Sequence, residues 1–115
     1  MSFYGNSGYF LFINDHRIWP KGIQIEGYHR RPLIPLPMDA KMKFTEEPGA
    51  VQKAMRPLGA WNSVEIVAKN GQVKSSMNGI LLNTITEHEF TEAGHIGFES
   101  EGSEIHWRNI RIKGE

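Results

Sequence analysis

Glu104, His106 and Arg108 stand two residues apart near the end of the chain, and Gln24, Glu26 and Tyr28 do the same in its first quarter. A strand sends alternate side chains to opposite faces, so each trio would share one face of a sheet. The first trio joins a carboxylate, an imidazole and a guanidinium. The second joins an amide, a carboxylate and a phenol, with His29 and Arg30 directly after it. Such groups move protons and steady developing negative charge.

Holding these trios in register requires strands, and the rest of the chain reads as strands. Twelve glycines, six prolines and short alternating runs argue for an all-β domain. In the run from Trp61 to Lys69, Val64, Ile66 and Ala68 alternate with Ser63, Glu65 and Lys69. Asn70-Gly71 then separates this run from Gln72–Met77, and Asn78-Gly79 separates Gln72–Met77 from Ile80–Thr86. Asn-Gly supplies the positive φ angles of tight hairpins, which predicts a three-stranded meander from Trp61 to Thr86.

Upstream, Tyr9 to Asn14 is apolar at nearly every position, as in a strand covered on both faces. Ile23 and Ile25, alternating with Gln24 and Glu26, mark a second strand. Pro32, Pro35 and Pro37 exclude a central strand and leave a loop or an edge. Pro48 to Met55 reads either as one or two helical turns, with Val51 and Met55 on one side, or as a surface loop. The closing block, Gly94 to Lys113, reads as two strand-like runs joined by a polar turn. Its apolar phase shifts from Ile105 and Trp107 to Ile110 and Ile112, which predicts a bulge near Arg108 and Asn109.

Composition bounds the partners. The 115 residues make one domain, 1–115, and thirteen basic residues balance thirteen acidic ones. Beyond His29-Arg30-Arg31 there is no basic block, so nucleic acid and anionic membrane are not expected partners, and a small or neutral one is. No cysteine offers a disulfide or thiolate. No stretch approaches the ~20 apolar residues of a membrane span, and Met1 opens no charged-then-apolar export signal. No period of 20 to 50 residues repeats.

Gly5-Asn6-Ser7-Gly8, Trp19 to Gly27, Gly59 to Ile66, Met77-Asn78-Gly79 and the closing block, taken in that order, resemble the domain-of-unknown-function 1080 family of 3-keto-disaccharide hydrolases across essentially the whole chain. The resemblance implies a concanavalin-A-like jelly-roll β-sandwich, bacterial, periplasmic or secreted, acting on a small carbohydrate. It also implies cleavage of a glycosidic bond in a sugar oxidised at carbon 3, through removal of the acidified C2 proton, elimination and hydration. On that reading Glu26 or His106 is the base and Glu104 its partner. Gln24, Tyr28, His29, Arg30 and Arg108 are substrate contacts.

The chain departs from the family pattern twice. Family domains carry several dozen residues ahead of the Asn-Ser-Gly motif. The expectation is therefore a sandwich incomplete at its N-terminus, with self-association or a missing N-terminal segment completing it. Many members also read Glu-x-Gln where Gln24-Ile25-Glu26 stands.

Plainer readings stand beside these. Glu104 with Arg108 is equally a surface ion pair, His106 a solvated strand histidine, and Trp61 and Trp107 core residues rather than sugar platforms. A noncatalytic carbohydrate-binding module on the same scaffold is the alternative function. No cofactor is expected: His16, His88 and His95 are too scattered for a metal-ligand spacing, and no motif supports a divalent ion at Glu26, His29 or Glu104.

Overall fold

The computed structural model describes residues 6–13, 22–27, 32–38, 40–57, 59–90, 94–101 and 107–113. Eight strands and one short helix follow in the order β1 (Asn6–Ile13), β2 (Gly22–Glu26), β3 (Ile34–Met38), β4 (Met42–Glu46), α1 (Ala50–Ala54), β5 (Val64–Lys69), β6 (Gln72–Met77), β7 (Ile80–His88) and β8 (His95–Glu101). They form two antiparallel four-stranded sheets, β3-β2-β1-β8 and β4-β7-β6-β5, packed as a sandwich. Ile23, Ile25 and Leu11 of the first sheet meet Val73, Met77 and Ile85 of the second in one buried cluster.

The expected meander is present as β5-β6-β7. Asn70 and Asn78 adopt φ values of 53°, and Gly71 and Gly79 follow at 76° and 82°, the two positive angles of a type I′ hairpin turn. Asn78 does more than turn the chain. Its side chain accepts from the Ser63 amide at 2.9 Å and donates to the Ala54 carbonyl at 2.7 Å, tying the end of α1 to the start of β5.

β3 is an outer strand in spite of Pro35 and Pro37. Alternate residues of a strand turn their N–H groups to one side, so both missing donors fall on the same edge, away from β2. The helical alternative holds for 50–54. The residues it buries are Ala50 and Ala54, one turn apart, while Val51 and Met55 are half-buried.

β1 lies between β2 and β8, with Leu11 and Ile13 buried. β1 pairs with β2 in continuous register but meets β8 through a break between Phe10 and Ile13, where Phe12 takes a φ of 60°. Gly94 makes this bulge possible, since a Cβ there would sit 2.5 Å from the Phe12 carbonyl carbon. In the closing block, Trp107 to Lys113 forms no strand. Asn109 at φ 54° turns the chain where a bulged strand was expected, and Ile110 and Ile112 are exposed. Finally, Trp61 is not core: it is 41% exposed.

Candidate functional site

β2 is buried along its whole length. Ile23 and Ile25 point into the sandwich, so alternation sends Gln24 and Glu26 to the outward face of the first sheet. There Gln24 is only 7% exposed and Glu26 only 2%. A carboxylate on an outward sheet face is ordinarily solvated, so this degree of burial sets the position apart. The Gln24 Nε2 donates to Glu26 Oε2, which orients the carboxylate and meets part of its need for donors in a place short of water.

Register identifies what surrounds the pair. Glu26 stands across from Gly8 on β1 and Ile34 on β3, and Gln24 across from Phe10 and Leu36. On the far side of β1, Gly8 pairs with Glu99 and Phe10 with Gly97. Gly8 leaves the place beside Glu26 without a side chain, and it must: a Cβ there would lie 2.6 Å from the Ile25 carbonyl oxygen. The result is a buried amide and carboxylate bordered by a bare stretch of backbone on one side and apolar side chains on the others. Such a setting holds a proton acceptor in fixed orientation against closely packed backbone.

The opposite face of the same strands is occupied differently. Tyr9, Phe98 and Trp107 meet edge to face, with centroids 5.6, 5.3 and 5.1 Å apart around the triangle. Tyr9 pairs with Ile25 across the strands and so lies on the interior side. Burial raises its phenol to about 12, so it is a neutral packing residue.

Of the residues singled out in the sequence, Gln24 and Glu26 are brought together. Arg108 is placed elsewhere: its guanidinium carbon lies 3.9 Å from the centre of the exposed Trp61 ring, ahead of β5 in the second sheet. Tyr28, His29, Arg30, Glu104 and His106 lie outside the described residues. Among the described residues no group of three or more His, Cys, Asp or Glu is placed to hold a metal ion, and no helix is long and apolar enough to cross a membrane.

Sequence reasoning overlooked Gly8 and Phe10 as borders of the pair. A glycine in the strand just ahead of its apolar run was the available signal, because it marks close backbone approach.

The family model for the 3-keto-alpha-glucoside-1,2-lyase-like domain matches residues 1–113. No curated protein and no solved structure gives a significant match.

Proposed function

The chain belongs to the 3-keto-alpha-glucoside-1,2-lyase-like family, whose domains act on 3-keto sugars, and from that premise we propose that it cleaves the glycosidic bond of a 3-keto-glucoside. The observation that carries the reading to particular residues is the buried Gln24–Glu26 pair on the outward face of β2. The two-sheet sandwich is read, by the same membership, as the concanavalin-A-like jelly roll.

A ketone at carbon 3 acidifies the hydrogen at carbon 2, so a modest base suffices. In the proposed sequence the Glu26 carboxylate takes the C2 proton. The electron pair collapses toward C1, the C1–O bond breaks, and the departing oxygen receives a proton from an acid. Water then adds across the new double bond, its oxygen to C1 and a proton to C2, which completes a net hydrolysis. Gln24 fixes the carboxylate during proton transfer. Glu104 and His106 are proposed as acid and alternative base, and Tyr28, His29 and Arg30 as hydroxyl or enolate contacts. Arg108 joins them only if it leaves Trp61.

The test is turnover of a 3-keto-glucoside, followed by the ultraviolet absorbance of the unsaturated ketone and by release of the aglycone. Glu26→Gln keeps shape and removes basicity, and turnover is expected to fall about 10²-fold or more while sugar binding persists. His106→Gln in parallel shows which group takes the proton. Equal loss of binding in both variants, with the rate unchanged, makes the two residues ligand contacts only and leaves the base to another group. A wild type that turns over no 3-keto sugar overturns the proposal.

A further inference from the structure

The outer strands of the two sheets are not alike. β3 carries Pro35 and Pro37. β4 meets β7 through a break in register between Lys43 and Phe44, and β8 meets β1 through the break between Phe10 and Ile13. Prolines and bulges are the usual means of blunting a sheet edge. β5 has neither: it pairs with β6 in unbroken register over all six residues, from Val64↔Met77 to Lys69↔Gln72. Among the described residues no strand pairs with its other side.

Hairpin geometry says which groups that edge presents. A two-residue loop closes on a hydrogen-bonded pair, here Lys69–Gln72, so Val67 and Glu65 also bond to β6. Val64, Ile66 and Ala68 therefore turn their N–H and C=O groups outward along the edge.

We propose that β5 pairs antiparallel with β5 of a second copy of this chain, about a two-fold axis at Val67, extending the four-stranded sheet across the axis. The outward face of β5 reads Glu65, Val67, Lys69, an acid–apolar–base sequence that is its own complement when reversed. With the axis at Val67, Glu65 faces the partner's Lys69, Lys69 faces the partner's Glu65, and the 43%-exposed Val67 faces the partner's Val67. These are non-hydrogen-bonded positions, where facing side chains come closest. Ile66 and Ala68 supply the hydrogen-bonded pairs between them and continue the interior strip. Moving the axis to Ile66 or Ala68 breaks both charge pairs, so charge selects one register.

A single strand edge is a small interface, and the dimer is reversible. Sedimentation equilibrium from about 10 μM to about 1 mM reads it directly. The wild type is expected to associate to a dimer over that range. Glu65→Lys sets lysine against lysine and weakens association at least tenfold, the double variant Glu65→Lys/Lys69→Glu restores it, and Val67→Glu abolishes it. Circular dichroism keeps loss of fold apart from loss of pairing. A wild type that stays monomeric throughout overturns the proposal, as it would if the chain's own Ile110–Lys113 covered the edge. A dimer unchanged by both Glu65→Lys and Val67→Glu also overturns it. No residue of the proposed catalytic site lies on β5, so the outcome is independent of turnover.

Discussion

The two sheets have the same number of strands and the same antiparallel pairing, yet their outward faces are opposite in character. On the second sheet the outward face is solvated: Glu65, Lys74 and Thr45 are exposed, and Lys43 and Glu87 form a 3.5 Å ion pair with both side chains mostly in water. On the first sheet it is closed off, with Gln24, Glu26 and Ile34 all buried. A solvated face needs only polarity, and a charge there is stabilised by water. A buried face demands a partner for each polar group, and Gln24 is the partner found for Glu26. The difference is why the proposed site is put on the first sheet rather than the second.

The largest effect expected from breaking that contrast is kinetic. Glu26→Gln should lower turnover of a 3-keto-glucoside by about 10²-fold or more, equivalent to at least ~2.7 kcal/mol at the transition state. Glu65→Gln on the solvated face, assayed beside it, should leave the rate unchanged.

Next in size is a pair of glycines. Gly8→Ala drives a Cβ to 2.6 Å from the Ile25 carbonyl oxygen, inside a paired strand. Urea unfolding should show a loss of about 1–3 kcal/mol, typical of overpacking, together with a raised KM, since Gly8 stands directly across from Glu26. Gly71→Ala on the second sheet meets open space and pays only for a left-handed backbone at φ 76°, about 1–2 kcal/mol, with no change in KM.

A third effect depends on pH and belongs to the interior side of the first sheet. Tyr9 ionises at about 12 in the folded chain against 10.0 for the ordinary group, because burial penalises the phenolate. The unfolded chain therefore loses its proton first as pH rises. Stability is intact below pH 10 and falls between about 10 and 12, by at most ~2.7 kcal/mol from this group. Tyr9→Phe should flatten that part of the stability profile, as followed by denaturant midpoints at fixed alkaline pH.

The smallest effects lie on the second sheet's surface. Arg108→Ala removes a guanidinium from the exposed Trp61 ring and should lower stability by about 0.5–1 kcal/mol. Lys43→Ala, which breaks the exposed ion pair with Glu87, should change it by less than ~0.5 kcal/mol.

Local chemistry by itself determined the β5-β6-β7 meander. Asn-Gly at 70–71 and 78–79 sets its own backbone angles, and the alternation of Val64 and Ile66 with Glu65 is a property of one strand. It also determined that β2 would be a strand with Gln24 and Glu26 on one face, and that a segment holding Pro35 and Pro37 would be an edge if it paired at all. These features depend on neighbours along the chain.

Tertiary structure alone decided what lies beside what. That β8 closes on β1 and β4 on β7 depends on strands dozens of residues apart, and no local preference encodes such pairing. The Asn83 side chain reaches from β7 to the Leu33 carbonyl at 2.8 Å, joining the two sheets inside the sandwich, and nothing around Asn83 in the sequence announces it. The alternation at Ile105, Trp107, Ile110 and Ile112 looked like a strand, but over 107–113 the packing of Trp107 on Tyr9 and Phe98 and of Arg108 on Trp61 holds the chain in another path. Burial of Glu26 is the sharpest case. Its residue type and spacing are written in the chain, but whether its face is wet or closed depends on everything packed against it, and that decides whether a carboxylate is surface decoration or a candidate base.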